Sequence, residues 1–126
     1  MLIALKLLVG LIALMLGSVG LRWMFAPASV AADLGITLGD AVALNTGRGD
    51  LGGMFIAGAL LCGFGVAREN GGWLQAVALL LGCVASGRAV GILSDGFTPQ
   101  AGVSIAVELV MLAVLLLTAR RMTNAP

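Results

Sequence analysis

The sequence predicts an all-α integral membrane protein: an antiparallel bundle of four transmembrane helices with a short interfacial helix in the first loop. Composition is the first reason. Of the 126 residues, 60% are hydrophobic and 10% charged, whereas soluble domains run at about 45–50% and about 25%. The second is a mean hydropathy of +1.12, which makes lipid the natural solvent for most of the surface. The third is the placing of the apolar residues in four runs, with Gly, Pro, Asp and Arg gathered between them. A span needs about 20 residues, so the chain reads as one membrane domain over 1–126, with spans near 2–25, 43–67, 73–93 and 100–118.

The first span runs from Leu2 to Phe25 and stops before Pro27, because proline lacks an N–H and disfavours a helical residue ahead of it. Ala28-Ser29-Val30-Ala31 resembles a signal-peptidase site. The apolar stretch before it is longer than the usual ~7–15 residue core, however, so a retained span is expected. Lys6 and Arg22 lie near its ends, where cationic side chains reach headgroups. In the connection from Pro27 to Asp50, Ser29 is expected to cap a short helix stopped by Gly35. Asp40 is expected to cap a second helix that continues into span two and carries Arg48 into the bundle. Span two ends at Arg68-Glu69-Asn70-Gly71-Gly72, span three at Ser94-Asp95-Gly96, and span four at Arg120-Arg121.

Orientation follows from basic residues. Lys6, Arg68, Arg120 and Arg121 share one face, while Arg22, Arg48 and Arg88 are on the other; with Arg48 and Arg88 taken as intramembrane charges, both termini are expected to be cytoplasmic. Trp23 and Trp73 then fall at opposite interfaces as anchoring aromatics.

Several function classes are disfavoured. A net charge of +1 gives no electrostatic footprint for nucleic acid. His and Tyr are absent, which removes the commonest general base and metal ligand and one usual proton donor. The two cysteines, Cys62 and Cys83, make no zinc site without further ligands and read as small buried core residues at similar depth. No metal and no cofactor are expected, and an enzyme is the least favoured reading. Gly47, Gly49 and Gly52 match G-x-G-x-x-G, but no strand precedes them, so a dinucleotide fingerprint is rejected. Anion capture by Arg48 at a helix N-terminus is the more physical option for that stretch.

Small residues at four-residue spacing, Gly53 and Ala57 in span two and Cys83, Gly87 and Gly91 in span three, are expected to let helix backbones approach closely, either inside the bundle or along a homodimer seam. The strongest chemical signal is charge at membrane depth. Gln100, Ser104 and Glu108 share one helix face. At about 1.5 Å per residue, Arg88 and Glu108 lie at comparable depths, roughly 7.5 and 10–13 Å below the boundary. An unpaired charge there costs at least about 2.5–3.5 kcal/mol. The expectation is a polar cluster of Arg48, Arg88 and Glu108, rimmed by Asp50, Asp95 and Gln100. It acts either as a clasp fixing helix order or as the lining of a pocket for a polar headgroup, a quinone head or a small anion.

Pro27, Gly35-Ile36, Arg48 followed by Gly52-Gly53, Gly87-Arg88 and Asp95-Gly96, with the four spans, resemble a bacterial four-helix inner-membrane family of unknown function near the DoxX/DoxD-like group. The resemblance implies a bacterial inner-membrane location and supplies no catalytic residues. Because some DoxX-like proteins associate with respiratory or thiol-redox complexes, it also implies an accessory role. Two functions are therefore expected in order: a small accessory or scaffold subunit of a membrane complex or homo-oligomer, in contact with membrane lipids, and then a binder of a small amphiphile.

Overall fold

The computed structural model describes residues 1–123 and is all-helical over them. Helix α1 covers Leu2–Phe25, α2 Pro27–Asp33, α3 Ala41–Thr46, α4 Gly53–Ala67, α5 Gly71–Asp95 and α6 Pro99–Thr123. A π-helical segment, Gly47–Gly52, joins α3 to α4 without a break. Four helical stretches, Leu2–Phe25, Ala41–Ala67, Gly71–Asp95 and Pro99–Thr123, are long and apolar enough to cross a membrane. The second, third and fourth begin one or two residues ahead of the spans read from sequence, where polar Asp40, Asn70 and Thr98 respectively precede them, and the third and fourth also end a few residues later. Asp40 accepts from the Ala43 amide at 2.9 Å, Asn70 from the Gly72 amide at 2.9 Å, and Thr98 from the Ala101 amide at 3.2 Å.

Helix α2 begins differently from expectation. Pro27 occupies its first turn and Ala26 precedes it with no side-chain cap. Ser29 lies inside the helix, its hydroxyl donating to the Ala26 carbonyl. Proline's fixed φ suits that first position, so no polar cap is required. The stop is as expected: Gly35 adopts φ +69°, with Ile36 N–H donating to Ala31 O and Gly35 N–H to Ala32 O. This is the left-handed closure that glycine supplies without steric strain.

The bundle is two helix pairs, α1 with α4 and α5 with α6, joined through α4–α5 and α1–α6. Toward the end that carries the N-terminus, the space between the pairs is filled by Val9, Ile12, Cys62, Leu74, Val77, Ala78, Leu115 and Ala119. Lys6 pairs with Glu69 at this end, and the Gly71 backbone lies directly against that of Ala119. Toward the opposite end a cavity lies between the pairs, and α2 is held to α1 there by an Arg22–Asp33 ion pair of 2.6 Å.

The closest helix approaches involve glycines other than those expected. A Cβ on Gly20 would come within 2.7 Å of the Ile56 side chain and 2.9 Å of its backbone nitrogen. Gly47 and Gly52 accommodate Trp23, whose ring and Cβ lie 2.7 and 3.0 Å from where their Cβ atoms would be. A π turn bonds each residue to the fifth one on, and here the five-residue spacing brings both glycines onto one residue, Gly47 against the indole ring and Gly52 against the Cβ. Trp23 is consequently 0% exposed in the core instead of anchoring at an interface, while Trp73 is surface-exposed beside Phe64. Ala57, Cys83 and Gly87 face outward, and Gly53 and Gly91 are only half-buried with nothing in close contact. None of these five lies at a close helix crossing. Cys62 is buried, but Cys83 lies on the outer surface, so the two thiols occupy different environments.

Candidate functional site

Between the two helix pairs, in the half away from the termini, lies a cavity of about 540 Å³. Its wall is built by helix periodicity around two charges. On α5, Leu81, Val84 and Arg88 share a face; on α6, Ser104, Glu108 and Met111 do the same. Helix α1 adds Leu16 and Val19, and α4 adds Met54, Phe55 and Gly58. Leu34 and Ile36, from the chain leaving α2, lie at the mouth with Thr98 and Gln100. The result is an apolar chamber with polar groups gathered toward one end, the usual build of a small-molecule site.

Arg88 Nε donates to Glu108 Oε1 at 2.7 Å across the α5–α6 contact. Glu108 is 7% exposed, whereas the Arg88 side chain is 36% exposed. Arg88 lies about 10 Å from the end of α5 and Glu108 about 13 Å from the start of α6, by helix rise, so the pair lies well inside two helices long and apolar enough to cross a membrane. Burial of an isolated charge at this depth is costly, and the partner makes the placement tenable. Glu108 Oε2 is shielded from solvent and has no hydrogen-bond partner among the described residues. The guanidinium finds no acceptor other than Glu108 among the described residues. The pair therefore retains one unmet acceptor and surplus donors at the polar end of an apolar chamber.

The remaining members of the expected cluster go elsewhere. Arg48 is exposed and donates from Nε to the Met24 carbonyl at 3.0 Å, satisfying an orphan acceptor at the end of α1. It lies within a continuous helix rather than at an N-terminus, which removes the anion-capture geometry. Asp50 and Asp95 are exposed and form no ion pair with Arg48 or Arg88. Gln100 is at the mouth, but its amide donates to the Asp33 carbonyl at 2.7 Å, tying the end of α2 to the start of α6. Ser104 lines the cavity as its position on the Glu108 face implies. Residues not singled out from sequence, Met54, Phe55, Leu81 and Met111, form much of the apolar wall. Leu81 and Met111 were detectable as the apolar neighbours of Arg88 and Glu108 on their own helix faces; Met54 and Phe55 carry no such marker.

Residues 4–119 match the model of a family described as DUF4345, a domain of unknown function. The chain belongs to that family. Neither the curated proteins nor the solved structures give a match. The four apolar helices support a multi-pass membrane protein, and the family assigns it no activity.

Proposed function

We propose that this DUF4345 protein is a non-catalytic binder of a small amphiphile, held in the bundle with its tail in the apolar chamber and its head at the Arg88–Glu108 pair. The carrying observation is the conjunction of the cavity of about 540 Å³ with a lining glutamate, Glu108, whose second carboxylate oxygen is buried behind the cavity surface and lacks a partner among the described residues. A clasp serving helix order alone gains nothing from an adjoining void, since empty volume forfeits packing contacts. A quinone-type head or a lipid headgroup fits the chamber's size and polarity, and no nucleic-acid partner is proposed. We infer a bacterial inner-membrane location, from the resemblance given above, and an orientation with both termini cytoplasmic. This is supported by Lys6, Arg68, Arg120 and Arg121 at the terminal end.

The second reading is an accessory or scaffold subunit. It is favoured by the outward side of α5 bearing Cys83 and Gly87, small exposed residues that leave a surface on which another helix can lie close. Native mass spectrometry from mild detergent separates the two. A stoichiometric small molecule distinct from the detergent supports the binder, a stoichiometric foreign subunit supports the scaffold, and a bare chain contradicts both.

A further inference from the structure

We propose that the Arg88–Glu108 pair selects an uncharged, hydroxyl-bearing, single-chain amphiphile over an anionic one; this rests on the binding reading above. The guanidinium and carboxylate, 2.7 Å apart, cancel as charges before any ligand arrives. An anionic head would gain from Arg88 but would bring its charge beside Glu108, at a depth where screening by water is weak. A neutral head carrying both an oxygen acceptor and an O–H meets both unmet needs. Its acceptor takes a surplus Arg88 N–H, and its hydroxyl donates to Glu108 Oε2, which has no other partner. Oε2 is buried beside the cavity that Glu108 lines, and because the terminal torsion of a glutamate is broad, the carboxylate can turn to meet a hydroxyl while its side chain stays on the same face of α6. A head offering only carbonyl acceptors would leave Oε2 unmet, which disfavours an oxidised quinone and favours heads of the monoacylglycerol or hydroquinone kind. The chamber's volume lies in the range for one drug-sized ligand, and its apolar wall, including Phe55, Leu81 and Met111, takes a single tail.

The test compares a monoacylglycerol with the fatty acid of equal chain length, added to the full-length protein in a hydroxyl-free amine-oxide detergent. The measurement is native mass spectrometry at about pH 9, above the ordinary carboxylate range. The wild type is expected to retain the monoacylglycerol in preference by about tenfold or more. Glu108→Gln leaves the guanidinium uncompensated and is expected to reverse the order. The double variant Arg88→Gln/Glu108→Gln carries no charge, remains testable if the single variant fails to fold, and is expected to lose the discrimination against a carboxylate that Glu108 supplies. Equal retention by the wild type, or preference for the fatty acid, overturns the selectivity while leaving amphiphile binding standing. Retention of neither probe overturns both.

Discussion

Glu108 has one ionic partner, and the energetic consequences of its removal are asymmetric. Glu108→Ala leaves a guanidinium at membrane depth without its counter-charge, and a loss of about 3–5 kcal/mol is expected in thermal or denaturant unfolding. The double variant Arg88→Leu/Glu108→Leu removes both desolvated charges and is expected to recover most of that stability while abolishing amphiphile retention. A double variant as unstable as the single would mean that the pair is chiefly a structural clasp. Gly20 makes a different demand, because any Cβ meets Ile56 backbone as well as side chain. Gly20→Ala is expected to cost roughly 1–3 kcal/mol by forcing α1 and α4 apart, measured as a fall in the unfolding midpoint. Gly87→Ala, which meets nothing within 4 Å, serves as the neutral control. Outside the spans, the hydrogen bond and charge of Lys6 hold the Glu69 carboxyl below its ordinary value. Its contribution to stability is therefore present above the unfolded carboxylate value and lost as pH falls through the depressed one. The stability difference between wild type and Lys6→Met is expected to be small at neutral pH, as befits an exposed pair, and to vanish on acidification below that lowered value.

At the scale of elements, Gln100 couples α2 to α6 through the Asp33 carbonyl, beside the cavity mouth. Gln100→Ala is expected to leave the four long helices intact and to raise amide exchange selectively over 27–39; unchanged exchange there would show that Arg22–Asp33 alone secures the segment. The helices themselves were legible in the sequence because apolar length is a sufficient signal in lipid, and Asp40 and Gly35 marked ends through chemistry that is local. The pairing of Arg88 with Glu108 was legible too, since depth along each helix is simple arithmetic and lone charges at depth need partners. The π segment was not. Nothing in Gly47-Arg48-Gly49-Asp50-Leu51-Gly52 forbids an ordinary α-turn, and the widened turn becomes intelligible only with the Trp23 ring against Gly47 and its Cβ against Gly52. The packing faces were equally hidden. When lipid and core are both apolar, periodicity no longer tells inside from outside, and the stripe of Gly53, Ala57 and their counterparts in α5 reads the same on either face. Arg48 was misassigned because its partner is a backbone carbonyl at the end of α1, which sequence does not advertise.

For the whole molecule, side chains fill the space between the two helix pairs at the terminal end and a cavity lies between them in the other half, so the chain forms a cup as well as a bundle. The basic residues at the closed end predict that a cysteine placed at Thr123 is labelled by impermeant thiol reagents only from the cytoplasm and one at Gly39 only from the opposite side; Cys62 and Cys83 are first replaced by alanine. The cup itself is examined most directly by photo-crosslinking, using a single-chain hydroxyl-headed amphiphile with a diazirine in its tail, followed by peptide mapping. Labels are expected on Phe55, Leu81 and Met111, the inward wall. They are expected to disappear in Leu81→Trp, which fills the chamber, and to be competed by unlabelled amphiphile. Labelling spread over the outward residues Leu79, Leu93 and Val107, indifferent to both competitor and Leu81→Trp, would contradict the account.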